Sequence, residues 1–390
     1  MISLEEARSR IAAAVHPLNA VAVPLAEARG RVLAEEVLAD ACYPSGDRAM
    51  MDGYVIGGEA VPGEFPVVGE IQAGAVPGRA LSVGEAMRIF TGALVPEGGG
   101  RVIPQELVQR DGERVRIAEF PENRFIRPKG SEAEVGAVIL PAGTRLGATE
   151  LAMLAQVGAV EPRVTRLPVI HHVATGEELV APAEQPKEGM IRDTNSTLLA
   201  ALVADHGGAV LHSTRCGDDP AAMAAMCEEP CDLLLISGGA SVGDYDFGAR
   251  VLRELGFTIH FDKVNLRPGK PLTFATKERQ VAFVIPGNPV SHFVCFHVAI
   301  RLVLELLAGG PVAWDWVDLP LAAGEALKPD PRETYWPTRV EAEAGRLVAK
   351  PQRWSTSGDT FSLQRTNALV LVNPGSPVEG VAKTLLLVSG

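Results

Sequence analysis

In LLLISGGASVGDYDFG, residues Leu233 to Gly248, an apolar run stops on Ser-Gly-Gly and gives way within a few residues to Asp244 and Asp246. A short apolar run bounded by turn residues reads as a buried strand. Glycines at 238 and 239 permit the positive φ values that aim successive backbone N–H groups at one point, a nest for an anion. Ser237 and Ser241 add hydroxyl donors, and Gly243 extends the loop. Carboxylates directly after such a loop suit a cation that accompanies the anion.

Outward from this loop, strands and helices alternate from about 168 to 310. LPVIHHVAT, GAVLHST, DLLLIS, FTIHFDKV, PLTFAT and VAFVIPG read as strands. RDTNSTLLAALVADHGG, DPAAMAAMCEE, YDFGARVLRELG and the long apolar VSHFVCFHVAIRLVLELLAG read as helices. The alternation predicts βαβ units and a central, doubly wound, mostly parallel α/β domain. Ligands of such sheets sit beyond the carboxyl ends of the strands. Three polar loops fall there: Ala174–Leu179 with Thr175, Gly176 and Glu178, Ser237–Asp246, and Ile285–Ser291 with Pro286, Gly287, Asn288, Pro289 and Ser291. Any one of them could be an ordinary tight turn; three on one rim favour a binding site.

The flanking segments read differently. Residues 3–40 carry helical spacing, with Ser3 and Glu6 in capping-box register and a second helix expected after Pro24. Short β-type runs fill about 44–122, and LGATELAMLAQVGA is helical with Thr149 as its expected N-cap. The tail from about 315 returns to β-type runs. The expected division is a helical, elongated domain (1–43 and 123–167) with an inserted mostly-β domain (44–122), the α/β domain (168–312) and a small C-terminal β domain (313–390).

Net charge is −12, which argues against nucleic-acid and anionic-membrane partners. Five cysteines without CxxC spacing, and no secretory apolar core in MISLEEARSR, predict a cytoplasmic protein with reduced thiols. KVNLRPGKPLTF brings Lys263, Arg267, Lys270 and Pro271 beside the loops, where cations favour an oxyanion or pyrophosphate. Glu177, Glu178, Asp218, Asp219, Asp244 and Asp246 are oxygen-only donors suited to magnesium, although Asp218 or Asp219 could instead cap the helix starting near Pro220. The pair His171-His172 lies inside a strand, so its rings face opposite sides, and packing is the simpler role.

Taken together, AMMDGYVI (Ala49–Ile56), RIFTGALVPEGGGRVIPQE (Arg88–Glu106), FIRPKGSEAEVGAVILPAGTRL (Phe125–Leu146), TGEEL, DTNS, SGGASVGDYDF, RPGKPLTF and PGNPVS resemble, in order, the motifs of the MoeA-type molybdopterin molybdenumtransferases, relatives of the gephyrin C-terminal domain. The resemblance implies insertion of molybdate into adenylylated molybdopterin with release of AMP, assisted by Mg2+, in a homodimer whose cleft is shared between subunits. It implies Asp218, Asp246 and Glu178 as catalytic residues, with Asp246 and Asp218 on the metal. Lys263, Arg267, Lys270 and Ser291 match positions near molybdate. Asp52 and Thr91 match positions that one subunit contributes to the other, and Ser355–Gly358, with Ser357, resembles the serine-rich turn of the last domain. The upstream adenylyltransferase and acceptor molybdoenzymes are implied partners.

Departures fall at Ala49, Gly100, Glu132 and Pro337, the last where the family's REEF-R segment has arginine. The alternatives are a molybdopterin adenylyltransferase or related pyrophosphatase, a tungstate-using or inactive paralogue, and a gephyrin-like scaffold.

Overall fold

A computed structural model describes residues 1–206, 210–217, 219–238, 247–354 and 356–387. The chain forms two compact units. One comprises Met1–Glu35, Ala142–Ala148 and Glu161–Gly390; the other comprises Glu36–Pro141 and Thr149–Val160.

The first unit is built on a six-stranded sheet. Its elements are β1 (Val169–Thr175), α1 (Asn195–Asp205), β2 (Val210–Cys216), α2 (Pro220–Cys227), β3 (Leu233–Ser237), α3 (Phe247–Glu254), β4 (Thr258–Phe261), β5 (Thr273–Lys277), β6 (Gln280–Ile285) and α4 (Pro289–Ala308). The strand order is β2-β1-β3-β6-β5-β4. The first four strands pair in parallel and only β5, antiparallel to both β6 and β4, runs against the rest, so the sheet is mostly parallel, as expected. All five residues of β3 are buried, which is why its sequence shows no alternation: a central strand is covered on both faces.

Helix α4 is apolar because it is a core element, with 89% of its most apolar window buried inside the protein. Its middle turn, Phe296–Ile300, is π-helical. A second sheet joins Leu266–Arg267, Glu333–Glu343, Ala368–Val372, Val381–Leu386 and Trp316–Pro320. Leu266–Arg267 pairs in parallel with Glu333–Thr334. A two-residue strand next to the central sheet is thereby tied to the C-terminal sheet.

Ser3 caps the first helix, Leu4–Ala14, by accepting from the Glu6 N–H at 3.1 Å, as expected. Two local expectations are corrected. After Pro24 there is only a 3-10 turn, Leu25–Glu27, followed by extended chain in which Val32 and Leu33 bridge to Arg145 and Val164. Strand partners from elsewhere in the chain override helical spacing there. Thr149 does not cap its helix: the helix is Ala148–Gln156, and the Thr149 hydroxyl donates to Glu150.

The other unit centres on a six-stranded sheet in which Gly53–Gly57 lies between Gly99–Pro104 and Ala86–Ile89. Val55 packs on one face with Met87, Ile89 and Val102, while Tyr54 and Ile56 pack on the other with Ile103 and Val115. Gly53 is obligatory: a Cβ there would lie 1.9 Å from the Ile103 carbonyl oxygen.

Candidate functional site

Two clefts open in the first unit at the carboxyl ends of β1, β3 and β6. The smaller, about 170 Å3, is lined by Thr175, Gly176, Glu178, Asp193, Asn195 and Gly238, among others. The larger, about 390 Å3, is lined by Arg267, Lys270, Ser291, Arg332, Trp354 and Ser357, together with Pro271. The turn after β6 serves both, Gly287 and Pro289 facing the first cleft and Pro286 and Asn288 the second.

Hydrogen bonds hold the turns together. The Gly238 N–H donates to the Ile285 carbonyl at 3.0 Å, and the Thr175 hydroxyl donates to the Ser237 carbonyl at 3.0 Å. The Asn195 amide donates to the Gly287 carbonyl at 2.7 Å. A Cβ on Gly287 would sit 3.7 Å from the Gly238 Cα, so the two turns are in contact. The Ser357 segment is fastened to the start of α4, because the Val290 N–H donates to the Ser357 carbonyl at 3.0 Å. That bond already uses one first-turn donor of α4, which reduces the helix end's capacity for an anion.

The larger cleft is cationic. Arg267 approaches Asp330 at 3.0 Å and lies 5.4 Å from the Trp354 ring centre. Arg332 approaches the same carboxylate at 3.0 Å through Nε. Asp330 therefore bridges two guanidiniums. Burial alone would raise its pKa, but the Arg332 hydrogen bonds and the two positive charges outweigh it and hold the carboxyl below its usual range. With Lys270 the wall carries three formal positive charges against one negative, which suits a dianion.

Arg332 was not anticipated. The sequence reading looked for the arginine at the position of Pro337, whereas Arg332, just before the strand Glu333–Glu343, reaches the cleft. The segment DPRET, with one arginine between two carboxylates, carries no basic signal in the sequence that would single Arg332 out.

Ser237 lines the smaller cleft, but its hydroxyl is buried. It was expected to present its hydroxyl to an anion, but the oxygen lies 2.5 Å from His172 Nε2 and 2.6 Å from His292 Nε2, inside the protein. Lys263 lines neither cleft; its carbonyl accepts from the Ile2 N–H. Asp219 accepts from the Ala221 N–H at 3.0 Å and is the N-cap of α2. Asp218, Gly239, Ser241, Gly243, Asp244, Asp246 and Ser355 lie outside the described residues. Among the described residues no group of three or more His, Cys, Asp or Glu side chains could hold a metal ion. Magnesium often needs only one or two carboxylates plus substrate phosphates, so the expected oxygen donors remain Asp218 and Asp246.

In the other unit, the Asp52 carboxylate accepts from the Thr91 N–H at 2.8 Å and from the Thr91 hydroxyl at 2.7 Å. These two donors lower its pKa. The MDGY and FTGA segments thus meet in one hydrogen-bonded pair.

Comparison with known proteins agrees along the chain. Residues 2–158 match the MoeA N-terminal region (domain I and II), residues 172–306 the "Probable molybdopterin binding domain", and residues 320–380 the MoeA C-terminal region (domain IV). A molybdopterin molybdenumtransferase of Nostoc sp. is 35% identical over 381 residues, covering 94% of this chain and 87% of the relative. One of Bacillus subtilis is 30% identical over 369 residues, covering 91% and 86%. The crystal structure of a molybdopterin biosynthesis MoeA protein from Pyrococcus horikoshii superposes with a TM-score of 0.84 at 28% identity, covering 99% of this chain and 100% of that one.

Proposed function

The chain belongs to the MoeA family of molybdopterin molybdenumtransferases, enzymes of molybdenum cofactor biosynthesis, and we propose that it inserts molybdate into adenylylated molybdopterin with release of AMP. The observation that carries this reading is the pair of adjoining clefts sharing the turn Pro286–Pro289. The cationic cleft of Arg267, Lys270 and Arg332 takes the oxyanion. The cleft beside Gly238 and Glu178 takes the pyrophosphate-linked substrate. Fixed N–H donors and cations stabilise charge that develops as a phosphate leaves. Mg2+, when held by Asp246 and Asp218, would neutralise charge on the pyrophosphate as a Lewis acid.

The adenylyltransferase and pyrophosphatase alternatives would account for residues 172–306 and leave the MoeA-type regions at 2–158 and 320–380 without a role. We further propose a cytoplasmic homodimer in which the Asp52–Thr91 pair of one subunit faces the cleft of the other. It would receive substrate from an adenylyltransferase and pass product to molybdoenzymes. The four-part division at 43/44, 122/123, 167/168 and 312/313 is kept as part of this proposal.

The test is AMP release from adenylylated molybdopterin with Mg2+ and either oxyanion, alongside mass measurement in solution. Molybdate-dependent AMP release by a dimer is expected. No oxyanion dependence would refute the insertion step, and a monomer with full activity would refute the shared cleft.

A further inference from the structure

Between the two clefts lies a buried polar chain that the reaction as described does not use. His172 and His292 are both 0% exposed and Ser237 is 3% exposed. His172 comes from β1, Ser237 ends β3, and His292 sits in the first turns of α4. No pair among them is closer than 55 residues in sequence.

Elementary proton counting gives the chain a direction. His292 Nδ1 lies 3.3 Å from the Asn288 carbonyl oxygen, which can only accept, so Nδ1 carries the proton. Burial holds the His292 pKa down at about 4 and that of His172 at about 3, so both rings are neutral near pH 7. Neutral His292 then offers only a lone pair at Nε2, and Ser237 must donate its hydroxyl proton there. Ser237 has no second proton for His172, so His172 Nε2–H donates to the Ser237 oxygen.

His172 Nδ1 is left as an acceptor, with the Ser213 and Ser196 hydroxyls both at 3.3 Å. Ser196 already donates to the buried Asp193 carboxylate at 2.6 Å, which leaves Ser213 as the donor. The path runs Ser213, His172, Ser237, His292, Asn288 carbonyl, with each proton used once.

Ser237 at its middle and Asn288 at its end bring this chain to both clefts. Ser237 is followed by Gly238, which lines the smaller one, and Asn288 lines the larger. A buried polar network with every member satisfied favours one arrangement of the elements that carry it, and a missing member leaves a costly unpaired group. We propose that His172, Ser237 and His292 form a positioning relay that fixes the Gly238 turn against the Asn288 turn, so that oxyanion and nucleotide meet preformed sites. This rests on the two-cleft reading above. The two histidines are thus positioning residues for the transfer, touching neither ligand.

The test uses the full chain, with tungstate as the oxyanion probe and AMP as the nucleotide probe, each titrated calorimetrically. Lys270→Ala tests the two-cleft reading separately: if it leaves tungstate binding unchanged, or the wild type binds neither probe, that reading has failed. His292→Phe removes the acceptor of the Ser237 proton, and Ser237→Ala removes the bridging oxygen with little change in volume. Each is expected to weaken both probes about tenfold or more, as for a buried donor or acceptor left unpaired. His292→Gln can place an amide oxygen where Nε2 stood, and it is expected to restore binding to within about threefold of wild type.

Wild-type affinity for both probes in folded Ser237→Ala and His292→Phe would overturn the relay. So would a His292→Gln protein that regains thermal stability but not binding, since that pattern belongs to a group that merely stabilises the fold.

Discussion

Replacing Gly238 with alanine probes the turn on which the smaller cleft depends. Its φ is +92°, where an L side chain is strained by about 1–2 kcal/mol. The new Cβ would lie 2.5 Å from the Thr175 hydroxyl oxygen and 2.8 Å from the Thr175 carbonyl oxygen. The hydroxyl can rotate away only by giving up its bond to the Ser237 carbonyl, a loss of about 1 kcal/mol. The carbonyl belongs to the end of β1 and cannot rotate, so the strand end or the turn must shift. The expected total is roughly 2–3 kcal/mol, read as a lower urea midpoint by circular dichroism. Turnover, followed as AMP release, should fall by about 10²-fold if the displaced turn loses even one fixed donor. Thr175→Ala in the Gly238→Ala background removes the side-chain contact but not the carbonyl contact or the backbone strain. It should therefore restore only part of the stability and little of the activity. A Gly238→Ala protein with the wild-type midpoint and wild-type AMP release would refute the argument that this turn is held by close approach to β1.

Lys270→Ala and Arg332→Ala should each weaken tungstate binding by roughly 10- to 100-fold, the scale of one charge-assisted hydrogen bond, with the unfolding midpoint little changed in a calorimetric comparison. Thr91→Val removes the hydroxyl donor on Asp52; the Asp52 pKa should rise toward its ordinary value in a carbon-13 NMR titration, and no rise would mean that the pair is not formed in solution. His172 and His292 have folded pKa values near 3 and 4, below the unfolded value of about 6.5. The unfolded chain therefore binds more protons between those limits. Stability present above pH 6.5 is lost as pH falls toward 4, with a slope approaching about 1.4 kcal/mol per pH unit for each histidine. In the double variant His172→Gln/His292→Gln this acid-side slope, measured by urea unfolding at several pH values, should flatten.

The sheet was legible because burial writes itself into composition: β3 is apolar throughout and stops on Ser-Gly-Gly, and α4 has no polar face to speak of because it is covered. The opposite directions of His171 and His172 follow from strand period alone, and both rings are buried. What the ring of His172 does was not legible, since its partners Ser237 and His292 lie 65 and 120 positions away and meet it only through sheet order and the approach of α4. For the same reason Ser237 was read as a ligand donor when its hydroxyl is turned inward. Arg332 escaped because its place in the cleft depends on the register of Leu266–Arg267 against Glu333–Thr334, a pairing between segments some distance apart that neither segment announces. The absent second helix after Pro24 shows a third limit: helical spacing over a few residues yields to strand partners at Arg145 and Val164 supplied from elsewhere in the chain.

The most direct test of the account is the position of a heavy oxyanion in crystals of this protein soaked with tungstate and AMP. Anomalous scattering from tungsten is expected among Arg267, Lys270, Ser291 and Arg332, with the AMP phosphate beside Gly238 across the Pro286–Pro289 turn. Tungsten bound away from that wall, or a nucleotide phosphate that does not approach Gly238, would contradict it.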